Sequence, residues 1–231
     1  MNHGAADPLD VVDRSSPHEP AESRTVFRGR VWDVRQDTVR LGDTSDSETV
    51  VREYIDHPGA VGIIGLDADD RVLLVRQYRH PVRSYLWEAP AGLLDIDDEH
   101  PLVAAKRELM EEAHQVADTW HVLFDVYNSP GSSSEALRCY LARDLRPADG
   151  EAYAGSGEER DMPQAWVPLD DLVQRCLRGD LHNPHTMTGV LAAHAARAEG
   201  WTQLRPPDAP WPERFPDELP PLPAQVERPP R

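Results

Sequence analysis

Continuous apolar runs mark the centre of the predicted fold. AVGIIGL, from Ala60 to Leu66, and RVLLVRQY, from Arg71 to Tyr78, flank the turn-forming sequence DADD. Apolar runs of this length between turn residues are typical of strands that are buried on both faces. The pattern therefore predicts a central hairpin, and it predicts further strands at residues 121–127, 136–145 and 164–168.

Shorter runs of alternating polarity come before the hairpin. TVFRGRVWDVRQDTVRL begins at Thr25, and ETVVREYI follows the turn-rich sequence GDTSDS. Alternation from one residue to the next is typical of strands with one buried face. We therefore expect a small antiparallel β region of three strands ahead of the main unit.

Helical spacing is found in three segments. From Pro101 to about His114, apolar residues recur at intervals of three and four and form one stripe. Proline fits the first turn of a helix, where its missing N–H is not needed. Two further helices are predicted from Leu169 to Arg178 and from Pro184 to Glu199, each followed by glycine.

Composition predicts where the folded part begins and ends. Residues 1–22 carry few large apolar side chains and are expected to form a disordered N-terminal tail. Residues 23–57 are the predicted N-terminal β region, and residues 58–200 are the predicted main domain. Residues 201–231 are rich in proline, which cannot donate to a hydrogen-bonded ladder, so we expect an extended or disordered C-terminal tail.

Charge narrows the range of partners. The 231 residues include 24 basic and 41 acidic side chains, which gives a formal net charge of −17. Such a surface repels nucleic acid and anionic membranes, so we expect neither as a partner. An anionic small-molecule substrate would need a metal ion or local basic side chains to offset this field.

Cysteine usage and the hydropathy profile indicate the compartment. Cys139 and Cys176 lie far apart and lack metal-ligand spacing. No apolar run reaches the roughly 20 residues that cross a bilayer. The polar start, MNHGAADPLD, lacks the apolar segment of a signal peptide. We expect a cytoplasmic protein with reduced cysteines.

One predicted helix carries a cluster of carboxylates. Glu111 and Glu112 follow Glu108 at intervals of three and four residues, so all three share one helix face. One interpretation is a solvated face on which Arg107 pairs with Glu111. The other is a site for a hard divalent cation, Mg²⁺ or Mn²⁺, which prefers oxygen ligands. The spacing alone leaves both interpretations open.

A longer motif favours the metal site. The signature of the Nudix hydrolases is similar to the ordered set Gly92, Glu99, Arg107, Glu108, Leu109, Glu111 and Glu112. This chain has six residues between the glycine and the first glutamate, where the family has five. His114 stands where the family has glycine, and Gln115 where it has an aliphatic residue. Neither the longer loop nor the changed helix end touches the metal-ligand positions that the resemblance implies.

The resemblance implies a fold and a reaction. The fold is α/β, the Nudix αβα sandwich with a mixed sheet, preceded by the small antiparallel β region. Within the family, the chain resembles the ADP-ribose pyrophosphatases in the stretch from Arg76 to Leu93, in the Ser129-Pro130-Gly131 loop and in the loop around Glu158. That subfamily commonly exchanges its N-terminal sheet between two subunits, which implies a homodimer here. The implied reaction is hydrolysis of ADP-ribose, or a related ADP-sugar, to AMP and ribose 5-phosphate.

The same resemblance implies a ligand set. Glu108 and Glu112 are expected to be the main ligands of Mg²⁺ or Mn²⁺. Glu111 is expected to be a further ligand or a supporting group, and the carbonyl of Ala91 a backbone ligand. Arg107 is expected to hold the acidic loop in place, because a metal cluster needs oriented supporting groups.

The remaining site residues are expected in loops. Glu158 and Glu159 are the candidates for the base that activates the attacking water, since closure of a mobile loop can deliver a carboxylate after the substrate binds. Arg79 lies before residues 80–87, a predicted loop, and is expected to bind the ribose-phosphate or adenine side of the substrate. Glu88 is expected near the diphosphate and the metal.

Two alternatives stay open. The chain could act on another nucleotide sugar, on NADH or on a nucleoside triphosphate, because specificity depends on individual loops. From another class, it could be a module that binds ADP-ribose without cleaving it. The complete set of motif carboxylates argues against a module that only binds.

Overall fold

The structure is a computed structural model that describes residues 11–15, 19–42, 47–150 and 162–223. Its contacts divide the chain into two units, Met1–Ile55 and Asp56–Arg231. Most of the predicted N-terminal tail lies outside the described residues, so its predicted disorder stays a prediction.

The first unit is a small sheet. Its strands are β1 (Glu22–Arg28), β2 (Asp33–Leu41) and β3 (Glu48–Asp56), which pair in chain order. β1 and β2 are antiparallel, with Glu22 opposite Thr38. The predicted N-terminal β region is confirmed.

The second unit alternates strands and helices. Its elements are, in chain order, β4 (Ala60–Leu66), β5 (Arg71–Arg79), β6 (Ser84–Glu88), β7 (Ala91–Leu93), α1 (Pro101–Ala113), β8 (Gln115–Val116), β9 (Thr119–Tyr127), β10 (Ala136–Arg143), β11 (Arg146–Pro147), β12 (Gln164–Pro168), α2 (Leu169–Arg178) and α3 (Pro184–Ala198). β8 and β11 form a separate two-stranded pair.

The main sheet has seven strands and is mixed. Its order is β12-β5-β4-β10-β9, with β6 added to β5 and β7 added to β4. β4 and β10 run parallel, whereas the other pairs are antiparallel. The predicted central hairpin is therefore present as β4 and β5, which are joined through a turn at residues 67–70.

The central strands bury both faces. Val61 and Ile63 pack with Leu109 of α1, whereas Ile64 packs with Val190 of α3. Successive residues of a strand point to opposite faces, which explains this division. Full burial of each such aliphatic side chain stabilises the fold by about 1.5–3 kcal/mol. Helix α1 covers one face and helices α2 and α3 cover the other, which is the expected αβα sandwich.

The helices begin and end close to their predicted bounds, because their signals are local. α2 ends at Gly179, which adopts φ 78° as a left-handed cap. The side chain of Asn183 caps α3 by accepting from the N–H of Thr186 at 3.0 Å. No helix in the described part of the chain is long and apolar enough to cross a membrane.

Residues 80–87 are not only a loop, as the sequence predicts, but include a strand. A single 3-10 turn at His80–Val82 leads through Arg83, at φ 51°, into β6, which pairs along β5. The prediction was wrong because the strand has five residues and is defined by its partner rather than by an alternating pattern of its own.

The predicted C-terminal tail is packed where the structure describes it, in residues 201–223. Ala209 and Trp211 are 6% and 1% exposed. The buried guanidinium of Arg138 donates to the carbonyls of Ala209 and Pro210 at 2.6 and 2.9 Å and lies 4.8 Å from the centre of the Trp211 ring. Proline has no N–H to donate, but here a distant arginine donates to carbonyls of the segment. This segment corrects the expectation of an extended or disordered tail.

Candidate active site

Arg107 lies at the centre of a carboxylate cluster formed by α1 and the loop before it. Its Nε and one Nη donate to Glu99 at 3.1 and 3.0 Å. The other Nη donates to Glu108 at 2.5 Å and to Glu111 at 3.2 Å. Burial disfavours the charged guanidinium, but the hydrogen bonds to Glu99 and the charge of Glu108 outweigh it, so the pKa of Arg107 is raised. Arg107 therefore ties the loop to the helix as a permanent cation.

Gly92 in β7 leaves the space that the carboxylate of Glu108 occupies. A Cβ at Gly92 would lie 2.0 Å from the carboxyl carbon of Glu108. Any other residue would displace this side chain. The first glycine of the motif is thus needed for close approach between strand and helix.

Glu112 is fixed by the backbone of the same strand. Its Oε2 accepts the N–H of Ala91 at 3.0 Å. A charged acceptor strengthens such a hydrogen bond and fixes the carboxylate. Glu108 and Glu112, one turn apart on α1, therefore both lie against residues 91–92 at the start of β7.

The cluster is strongly negative. Three carboxylates, Glu99, Glu108 and Glu111, accept from one guanidinium, and Glu112 follows Glu111 on α1. The four carboxylates and one guanidinium leave three excess negative charges when all ionise. Among the described residues, no group of three His, Cys, Asp or Glu side chains stands at metal-ligand distances. The chemistry nevertheless fits a hard divalent cation, since carboxylate and backbone oxygens are the ligands that Mg²⁺ and Mn²⁺ prefer.

The extra residue in the motif is absorbed by the loop between β7 and α1. Asp98 adopts φ 61°, and the N–H of Glu99 bonds to the carbonyl of Ile96 at 3.2 Å. Aspartate tolerates this left-handed conformation better than most residues. The turn takes up the insertion, and Glu99 still reaches Arg107.

His114 occupies the position at which the motif has glycine. It ends α1 in the left-handed region, with φ 52° and ψ 41°, and its N–H bonds to the carbonyls of Leu109 and Met110. A glycine adopts this conformation without strain, whereas a residue with a Cβ does not. The departure therefore strains the helix end and leaves the carboxylates in place.

Arg79 of β5 and Glu88 of β6 form an ion pair through their side chains, although the strand register places Arg79 opposite Ser84. Arg79 donates to both carboxylate oxygens of Glu88, with an Nη–Oε2 distance of 2.6 Å. The side chain of Glu88 is 2% exposed, whereas that of Arg79 is 41% exposed. The arginine thus neutralises a buried carboxylate directly before the Pro90-Ala91-Gly92 segment.

The first turn of α3 also reaches this region, and sequence reasoning did not single it out. Asn183, His185 and Thr186 are buried, and His185 and Thr186 contact the backbone of Ala89. These contacts join residues 96 and 97 positions apart, so no local pattern could reveal them. No hint was available in the sequence, because α3 carries a second histidine, His194, and nothing local distinguishes the two.

Glu158 and Glu159, the candidates for the base, lie outside the described residues. Their role stays a prediction. The other predicted site residues form two groups: Arg107 with the carboxylates of α1, and Arg79 with Glu88.

Comparison with known proteins decides the family. A family model described as the NUDIX domain matches residues 56–187, more than half of the chain. The chain belongs to the Nudix hydrolase family. The Nudix match covers the sheet, α1 and the first turn of α3, and so includes both groups of site residues.

Individual relatives and structures agree with this assignment. The chain is 41% identical over 196 residues to a protein of Mycobacterium tuberculosis named ADP-ribose pyrophosphatase, covering 85% of this chain and 92% of that protein. It is 31% identical over 169 residues to the methanol dehydrogenase activator of Bacillus methanolicus, covering 73% and 88%. A crystal structure of an ADP compounds hydrolase superposes with a TM-score of 0.66 at 24% identity, covering 82% of this chain and 99% of that one. This last match supports the Nudix fold.

Proposed function

We propose that the protein hydrolyses the diphosphate of ADP-ribose, or of a related ADP-sugar, to AMP and ribose 5-phosphate. The observation that carries the proposal is the seating of the Glu108 and Glu112 carboxylates against residues 91–92. This arrangement occurs in a chain that is 41% identical to a protein named ADP-ribose pyrophosphatase.

The proposed metal ligands are Glu108, Glu112 and the carbonyl of Ala91, with Glu111 as a further or supporting ligand. A bound Mg²⁺ or Mn²⁺ would offset the diphosphate charge and lower the pKa of an attacking water. The chain's own part is to hold these oxygens in place. Arg107 does so by bridging Glu108 and Glu111 to the loop residue Glu99.

The Arg107 network also explains how an acidic site can stay assembled before a substrate arrives. Without the guanidinium, the carboxylates would repel one another and move apart. Lysine could not replace it, because one ammonium cannot donate in a planar fork to Glu99 while also reaching the helix acids. Arg107 therefore acts through the ligands and not on the substrate.

Arg79 is proposed to contact the substrate, and Glu88 to lie near its diphosphate. The guanidinium of Arg79 is partly exposed and is therefore accessible to a substrate. It is held by Glu88, which lies shortly before β7 in the chain. Glu88 orients Arg79, and Arg79 keeps the buried carboxylate of Glu88 neutralised. Loss of either residue is expected to disturb the other.

The attacking water needs a base, and the α1 carboxylates are assigned to the metal. Glu158 and Glu159 fill this role in the proposal, with Glu158 preferred. Support comes from the sequence alone, because both residues belong to a polar, glycine-containing segment that resembles the corresponding loop of ADP-ribose pyrophosphatases.

The proposed active form is a homodimer. The N-terminal sheet exposes several large apolar side chains. So many exposed apolar side chains on one small unit are typical of a protein–protein interface. They are Val26, Phe27, Val31, Leu41 and Val51, with exposures between 45% and 63%. Light scattering should give the mass of two chains, and Phe27→Glu should shift it toward one.

The proposed location is the cytoplasm. The buried thiols Cys139 and Cys176 are both free, as expected in a reducing compartment. Burial raises the pKa of both thiols, so they are poor nucleophiles.

A substrate panel tests the proposed function. The purified protein is incubated with ADP-ribose, other nucleotide sugars, NADH and nucleoside triphosphates, and kcat/KM is measured for each from the release of nucleoside monophosphate. We expect the highest kcat/KM for ADP-ribose or another ADP-sugar. A higher kcat/KM for a nucleoside triphosphate or for NADH would show that ADP-ribose is not the preferred substrate. If ADP-ribose raises the melting temperature but no compound is cleaved, the protein is a binding module.

A further inference from the structure

Ala89 joins β6 to the Pro90-Ala91-Gly92 segment and is 1% exposed. A buried residue in such a connection must still satisfy its backbone N–H and carbonyl. Neither group of Ala89 is paired within the sheet, because β6 ends at Glu88 and β7 begins at Ala91. Both groups are instead bonded by side chains from the first turn of α3.

Thr186 holds the N–H of Ala89. The Thr186 hydroxyl accepts this N–H at 2.8 Å and donates to the side-chain oxygen of Asn183 at 3.0 Å. That oxygen is fixed in turn, because it also accepts the N–H of Thr186 as the cap of α3. Thr186 is 0% exposed, so the hydroxyl cannot exchange this partner for bulk water.

His185 holds the carbonyl of Ala89. Its Nε2 lies 3.0 Å from the carbonyl oxygen, and since that oxygen can only accept, the ring nitrogen must carry the hydrogen. Burial lowers the pKa of His185, which leaves a neutral imidazole in this tautomer. The ring fits because Gly62 has no side chain, and a Cβ there would lie 3.1 Å from the ring.

Ala89 connects to the carboxylate site through two residues that are both bonded to neighbouring elements. The carbonyl of Pro90 accepts the N–H of Ile63 at 2.8 Å, and Ala91 pairs with Gly62. The N–H of Ala91 then bonds to Glu112. Helix α3 thus fixes the chain at residue 89, and β4 fixes it at residues 90 and 91.

We propose that His185 and Thr186 are positioning residues for the divalent-metal site. By fixing the two backbone groups of Ala89, they set the place of the Ala91 peptide, and with it the carbonyl of Ala91 and the Glu112 carboxylate that would hold the metal. The proposal rests on the metal site of the proposed function, but it does not depend on which diphosphate is the substrate.

Matched substitutions separate the hydrogen bonds from the volume of the side chains. Thr186→Val removes the hydroxyl at nearly constant shape, whereas Thr186→Ser keeps it. His185→Leu removes the donor, whereas His185→Gln offers an amide N–H near the position of Nε2. Val190→Ala, a cavity in the same helix at a residue that is 0% exposed, is the control for general destabilisation.

The main readout is Mn²⁺ binding to the protein without substrate, followed by the loss of the free-ion signal in electron paramagnetic resonance. Supporting groups around a metal site typically change affinity by about 10–100-fold. We expect Thr186→Val and His185→Leu to raise the Kd for Mn²⁺ at least about tenfold. Thr186→Ser and His185→Gln should bind Mn²⁺ with a Kd close to that of the wild-type protein. Val190→Ala should lower the melting temperature and leave the Kd unchanged.

Two results would overturn the inference. One is an unchanged Mn²⁺ affinity in both Thr186→Val and His185→Leu, and the other is an equal loss in Val190→Ala. AMP release from ADP-ribose is measured on the same samples. If the wild-type protein binds Mn²⁺ and the variants weaken it, but ADP-ribose is not cleaved, only the proposed substrate fails. If the wild-type protein binds no Mn²⁺, both proposals fail.

Discussion

The carboxyl carbon of Glu108 lies 2.0 Å from the point at which a side chain on Gly92 would begin. The Glu108 carboxylate can therefore lie beside β7 only because residue 92 has no Cβ. In a close-packed interior, the volumes of the side chains set how closely neighbouring groups can lie. A single additional methyl group is enough to change these distances.

Gly92→Ala is expected to lower turnover by at least about 100-fold, because Glu108 must leave its position beside β7. The fold should persist, since the side chain can move toward solvent at a cost of about 1–3 kcal/mol. Turnover and the far-ultraviolet circular dichroism spectrum are measured together. Gly131→Ala is the control, because a Cβ there meets no atom within 4 Å. Equal activity of the two variants would contradict the packing argument.

His114→Gly is expected to stabilise the protein by about 1 kcal/mol, because glycine removes the left-handed strain at the end of α1. Urea unfolding measures the change, and the metal-dependent activity should not fall. His114→Ala keeps the Cβ and serves as the control, so it should bring no gain. A loss of stability in His114→Gly would show that the imidazole makes a contribution larger than the strain.

His100 makes the stability depend on pH. It is buried and caps α1 by accepting the N–H of Leu102 at 3.0 Å. Burial, assisted by Arg138 and opposed by Asp208, lowers the pKa of His100 below its ordinary value of 6.5. As the pH falls through that value, the unfolded chain binds a proton that the folded chain does not, so the free energy of unfolding decreases.

His100→Asn should reduce this pH dependence, because asparagine is a good cap and does not titrate. Unfolding free energies at pH 7.5 and 5.5 are compared, with a limit of about 1.4 kcal/mol per pH unit for one proton. The exposed His182→Asn is the control and should keep the wild-type slope. An unchanged slope in His100→Asn would contradict the assignment.

Trp211→Ala is expected to cost about 3–5 kcal/mol, as large-to-small substitutions of buried aromatic residues do. The ring is 1% exposed and lies against the guanidinium of Arg138, which also holds the neighbouring carbonyls. Leu222→Ala removes a side chain that is 42% exposed and should have little effect. Equal midpoints of urea unfolding for the two variants would mean that the C-terminal segment does not stabilise the domain.

The features of the fold that could be predicted are those encoded by residues close together in sequence, such as helix caps and apolar spacing. The bounds of α2 match the prediction because Gly179 and the preceding apolar spacing both lie within the helix or next to it. The same holds for the motif residues on α1, whose spacing along one helix fixes their common face. Where a feature depends on a partner far away in sequence, no local pattern is available.

The burial of Trp211 could not be predicted from the composition of its segment. Its proline-rich neighbourhood has the character of a loose tail, and only the position of Arg138, 73 residues earlier, reveals that the ring is buried. His185 is a similar case, because its meaning depends on Ala89 and on the missing side chain of Gly62. His185 lies on a helix that was predicted correctly, whereas Trp211 lies in a segment that was predicted to be a tail, and the contacts of both residues are tertiary.

The most direct test compares AMP and ribose 5-phosphate formation from ADP-ribose by the wild-type protein and by Glu112→Gln, each with Mg²⁺ and with EDTA. Glutamine can still accept the N–H of Ala91 through its amide oxygen, so the variant should fold, but it lacks the charge that a divalent cation needs. We predict Mg²⁺-dependent cleavage by the wild-type protein and a loss of at least about 100-fold in the variant. Equal, EDTA-resistant cleavage by both proteins would contradict the metal-dependent mechanism.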